Sequence, residues 1–107
     1  MSILNANAKF NVGQIIYHKL FNYRGVIIDV DPCFQGTEEW YEQMTSTNPP
    51  KDMPWYHVLV DNSDRQTYVS ERNLESDDSL QPVNHPLVDK VFSHFQDGVY
   101  HADQHSH

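Results

Sequence analysis

The sequence predicts an all-β domain, a small SH3-like β-barrel of about five strands followed by a short C-terminal helix. Three observations predict it. Residues 26–31 and 55–60 mix β-branched and aromatic side chains in the period of two that a strand imposes. Turn chemistry separates the apolar runs at short intervals. With 107 residues, the chain has room for one compact core, and short strands can bury their edges by closing on themselves.

Residues 1–8 offer nothing to pack and read as a frayed start. The first strand is expected at residues 15–18, after Gly13-Gln14, and turn residues Asn22 and Gly25 come after it. Residues 26–31 form the clearest strand. Strict alternation puts Val26, Ile28 and Val30 on one face and Ile27, Asp29 and Asp31 on the other, with Pro32 as the stop. Residues 32–54 make a long connection. Thr37 is placed to cap a short helix that starts with Glu38 and Glu39 and carries Trp40, Tyr41 and Met44. Pro49, Pro50 and Pro54 deny regular structure to the rest. A connection of this length in a small domain is usually functional or mobile. Residues 55–60 are the next strand, in which alternation turns Tyr56 inward and Trp55 outward, and residues 66–69 return as its hairpin partner. A turn of helix and a brief last strand are expected by Leu74, closing a barrel over residues 9–74.

Residues 75–107 differ in kind. Residues 75–83 have the composition of an acidic linker. Beyond them Val88, Val91, Phe92 and Phe95 fall at i, i+3, i+4 and i+7, one face of a helix of about ten residues. Pro86 suits its first position and Gly98 its end. So short a helix is unstable alone in water and must dock, on this chain or on a partner. A histidine-rich tail completes the segment.

The formal charge is −8. Residues 9–74 hold six basic against nine acidic residues, whereas residues 75–107 set Lys90 alone against six acids. Phosphate neutralisation drives most nucleic-acid affinity, so this balance opposes tight nonspecific DNA binding while leaving room for a local basic patch. There is no apolar run of membrane-spanning length and no basic-then-apolar leader, and the single cysteine, Cys33, suits a reducing compartment. These features point to the cytoplasm.

No phosphate loop or nucleophile elbow is present, and nothing beside Cys33 suggests a lowered thiol pKa. The chain reads as a binding module without catalysis or cofactor. Asp29 and Asp31 share a strand face and could hold a cation, but such pairs are more often a solvated surface. His101, His105 and His107 cluster at the C-terminus, where binding of zinc or nickel would be adventitious, and no physiological metal site is expected. The candidate partner-binding residues are Tyr23, Arg24, Trp40, Trp55 and His57, because aromatic and arginine side chains dominate interface energetics. The candidate phosphate contacts are Lys9, Lys19, Arg24 and Arg72.

The ordered run Lys9-Phe10, Gly13-Gln14, His18, Tyr23, Gly25-Val26, Asp29, Asp31-Pro32, Pro54-Trp55-Tyr56-His57-Val58, Thr67-Tyr68, Glu71 and Leu74 resembles the HspQ, or YccV-like hemimethylated-DNA-binding, family of small bacterial heat-shock proteins. The resemblance covers residues 9–74. It implies an SH3-like barrel that assembles as a trimer. It also implies a heat-shock role in Lon-type, ATP-dependent proteolysis of denatured client proteins and of the replication initiator. The alternative that it implies is recognition of hemimethylated DNA at the replication origin.

Overall fold

The structure, a computed structural model, describes residues 8–102. The expected fray lies outside them except for Ala8, which packs against the core. Five strands, β1 (Ile15–His18), β2 (Tyr23–Asp31), β3 (Trp55–Val60), β4 (Gln66–Ser70) and β5 (Leu74–Ser76), form one antiparallel sheet in the order β4-β3-β2-β1-β5. The 3₁₀ turn Glu71–Asn73 joins β4 to β5, so the two edge strands are consecutive in the chain. Laid flat, five strands would span about 19 Å between edges, and a three-residue link reaches only about 14 Å. The sheet must therefore roll, as an SH3-like domain requires, although no β4–β5 ladder closes it among the described residues.

Strict alternation does not survive along β2. The pairing with β3 runs from Ile27↔Val58 to Asp29↔His57, which leaves Ile28 as a bulge. Beyond the bulge the faces exchange. Ile27 and Val30 pack with Phe10, Ile16, Tyr56, Val58, Val69 and Leu74 inside the roll, while Val26 and Ile28 join a second cluster on the outer face.

That outer cluster is built by the C-terminal third. Val83, Val88, Phe92 and Tyr100 pack on Ile15, Val26 and Leu59. From Val83 onward this segment covers the sheet, and its expected helix is cut to a single turn, α2 (Val88–Val91). Val88 and Phe92 are buried, Phe95 is half-buried and Val91 is 38% exposed, so the helical spacing holds only across that turn. The chain then turns back on itself as a hairpin, β6 (His94–Gln96) and β7 (Val99–His101). Its loop is Asp97-Gly98, both with positive φ (56° and 80°), the geometry of a two-residue hairpin turn. Gly98 therefore closes a hairpin and not a helix. Gly13 lets this hairpin reach the sheet: Tyr100 N–H donates to the Gly13 carbonyl at 2.9 Å, and a Cβ there would strike the Tyr100 carbonyl.

The long connection carries the expected helix, α1 (Glu38–Met44), capped by the Thr37 side chain accepting from Trp40 N–H. It folds back over the face of β3 and β4 that bears Trp55.

Candidate functional site

Trp55 points away from Tyr56, as alternation requires, yet it is only 1% exposed. The expected face holds but the exposure expected of it does not, because the connection between β2 and β3 roofs that face. Phe34 stands 4.8 Å from Trp55, Tyr68 5.2 Å and Trp40 6.2 Å, measured between ring centroids. The indole Nε1–H donates to the Pro50 carbonyl at 3.0 Å. Trp40 and His57 belong to the same layer, with the His57 ring 4.6 Å from Tyr68. Trp40, Trp55 and His57, expected to contact a partner, are therefore packed into an aromatic layer in which Trp55 is buried and the other two are half-buried.

Tyr23 and Arg24 lie apart from it. Tyr23 packs against the inner cluster and its hydroxyl meets Thr67 Oγ1 at 2.7 Å. The Arg24 guanidinium is consumed within the chain. Its Nη1 pairs with Asp61 at 2.8 Å, its Nε with Asp77 at 3.0 Å, and its Nη2 donates to the Gln81 carbonyl at 2.6 Å. Burial alone would raise the Asp77 carboxyl, but bonds from Ser79 and Arg24 outweigh it and hold the group below the usual carboxylate range. Arg24 is a clasp between β2, the β3–β4 turn and the segment after β5, not a free anchor for a phosphate or a partner.

The other three candidate phosphate contacts have their main chains at or beside the 3₁₀ turn, and the bonds of the two lysines there are made by backbone groups. Lys9 N–H donates to Glu71 Oε1 at 2.9 Å, Lys19 N–H donates to the Asn73 carbonyl at 2.8 Å, and Arg72 is in the turn itself. Arg72 donates to the carbonyl and hydroxyl of Thr47. Next to Lys19, Phe21 is 70% exposed and stacks on His18. His18 is buried, and burial lowers its pKa by disfavouring the charged ring; its Nδ1 accepts from the N–H groups of Leu20 and Phe21.

Asp29, Asp31 and His57 bring their ligand-type atoms within 4.8 Å of one another. Asp31 Oδ2 already accepts from the Tyr68 hydroxyl at 2.6 Å and meets His57 Nε2 at 3.2 Å, while Gln35 N–H donates to the Tyr68 oxygen at 3.0 Å. This network pins the start of the long connection to β3 and β4. Of the C-terminal histidines, His101 ends β7, whereas His105 and His107 lie outside the described residues.

Two features escape sequence reasoning. Glu71 is buried and accepts from the Tyr56 hydroxyl at 2.6 Å; burial, with that bond, pushes the phenol well above its usual range. The second is a cleft of about 330 Å³ between the segment after β5 and the β6–β7 turn, lined by Val12, Asp77, Asp78, Leu80, Asp97 and Val99 among others. Leu80 is 65% exposed and sits at φ 61°, in the left-handed region that side-chain-bearing residues rarely occupy. The one signal for this cleft is the Asp97-Gly98 dipeptide, which marks the hairpin that forms its far wall.

A family model described as hemimethylated DNA-binding protein YccV-like matches residues 8–99. The match runs beyond the expected 9–74 and takes in the segment after β5, α2 and most of the β6–β7 hairpin, the parts that cover the outer core. The chain belongs to the YccV-like hemimethylated DNA-binding protein family.

Proposed function

We propose that this chain is a non-catalytic, cytoplasmic stress-response module that modulates Lon-type proteolysis of denatured proteins and of the replication initiator through protein contacts. The observation that supports this reading best is the cleft beside the β6–β7 turn. It sets exposed Leu80 and Val12 among Asp77, Asp78 and Asp97, of which Asp77 alone is paired with Arg24. Exposed apolar side chains beside carboxylates suit the long stem and cationic head of a lysine or arginine side chain on a protein partner. The net charge of −8 favours the same kind of partner.

A second reading, recognition of hemimethylated DNA, is favoured by the family's description and by the main chains of Lys9, Lys19 and Arg72 lying at or beside one turn. Both readings meet one experiment. The chain is titrated with hemimethylated, fully methylated and unmethylated duplexes over a salt series, beside capture of purified Lon-type protease and a denatured client. The protein reading expects retention of protease or client that Leu80→Ser and Asp97→Lys abolish, with no duplex bound at physiological salt. Selective, salt-sensitive binding of the hemimethylated duplex, lost in Lys19→Glu/Arg72→Glu, overturns it in favour of DNA.

A further inference from the structure

The β6–β7 hairpin places two histidines directly opposite each other, His94↔His101. Their rings stack with centroids 4.9 Å apart and planes 14° from parallel, and both side chains are exposed. The platform beneath them is fixed. The turn is a two-residue loop, the Ser93 N–H donates to the His101 carbonyl at 2.8 Å, and buried Tyr100 anchors the strand through its hydroxyl to the main chain of Val83.

The tautomer of the neutral His94 ring follows from its neighbour. Ser93 Oγ lies 3.1 Å from the His101 carbonyl and 2.9 Å from His94 Nδ1. A hydroxyl has one hydrogen and a carbonyl only accepts, so that hydrogen goes to His101 O. The Ser93 oxygen must then accept from His94 Nδ1–H. In the neutral ring this leaves the lone pair on Nε2, and an Nδ1–H held by an oxygen is the arrangement that orients metal-binding histidines.

We propose that His94 and His101 clamp one late first-row divalent metal ion, Zn²⁺, Ni²⁺ or Cu²⁺, through His94 Nε2 and a ring nitrogen of His101, with Ser93 as the orienting partner. Neutral imidazole is a preferred ligand for these ions. Metal–nitrogen bonds of about 2.0–2.1 Å in a tetrahedral shell set two nitrogens roughly 3.3 Å apart, and because an imidazole lone pair lies in its ring plane, the two rings turn out of their stack to converge on one ion. Water fills the remaining positions, so the site is open and exchangeable.

The test is calorimetric titration of ZnCl₂ and NiCl₂ into the full chain at pH 7.5, with the histidine side-chain NMR signals followed in parallel. One ion per chain is expected, with shifts at His94 and His101. His94→Ala and His101→Ala should each weaken binding more than tenfold, and Ser93→Ala by about tenfold, the usual effect of removing an orienting partner. All three residues are exposed, so circular dichroism should show the fold unchanged. The double variant His105→Ala/His107→Ala should still bind and still shift His94. Undiminished affinity in His94→Ala or His101→Ala overturns the proposal. So does loss of binding in the tail double variant while His94→Ala has no effect, which would assign the metal to the end of the chain alone.

Discussion

Trp55 separates two properties that are easily merged, the face a residue occupies and its exposure. Period-two alternation sets the indole opposite Tyr56, and the long connection then buries it under Phe34 and Trp40. Trp55→Ala should cost roughly 3–5 kcal/mol in urea unfolding, the range for a large side chain deleted from a core, whereas a cost near zero would mean the aromatic roof does not form. His18 and Asp77 set the acid response. His18 has a folded pKa below its ordinary value of 6.5, so the unfolded chain takes up its proton first. Its contribution is complete above that value and declines as pH falls through 6.5 toward the folded pKa. The Asp77 pKa is depressed below 3.8, so the stability it adds is present above that pH and is lost only as pH falls further. Chemical denaturation at fixed pH steps should therefore show stability falling first below pH 6.5. His18→Gln should flatten that first decline and leave the second.

Most elements of the sheet are legible from the sequence because their signals are local. The Thr37 cap with Glu38 and Glu39 marks α1, and the mixed apolar run of β3 marks a strand. The bulge at Ile28 is not legible, since a bulge is set by pairing across strands and leaves no mark on one strand. The C-terminal helix fails for a different reason. Val88, Val91, Phe92 and Phe95 have helical spacing, but Phe95 and Tyr100 also suit a strand, and Asp97-Gly98 is a strong hairpin signal that outweighs the period. The site is less legible still: Arg24, Trp40 and Trp55 have the composition of an interface, and only tertiary packing shows that they are engaged internally. The turn itself can be tested. Gly98→Ala forces a side chain to φ 80° and toward Leu80 Cδ2, so it should destabilise by about 1–2 kcal/mol in thermal or urea unfolding. Asp97→Asn, which keeps a residue tolerant of positive φ, should be nearly silent.

On the scale of the whole molecule, the sheet is buried on both faces, inside by Phe10 and Tyr56 and outside by Val83, Val88, Phe92 and Tyr100. A chain ending at Gln81 would strip the outer cover and leave Ile15, Val26 and Leu59 against water. It should aggregate or bind ANS strongly; a soluble, cooperatively folding fragment would mean that the C-terminal third is an appendage after all. The contact of Gly13 with Tyr100, extended by the Gln14↔Val99 bridge, has its own consequence. It seats the last strand beside the start of the first, so the path of the chain is nearly a closed ring, and the order in which that ring is synthesised is not what holds it together. A circular permutant, its old ends joined by a short glycine-serine linker and new ends opened at exposed Asp64, would keep every strand pairing. It would also bring Gly13 and Tyr100 close together in the sequence, and that shorter loop to close should make it fold faster than the parent.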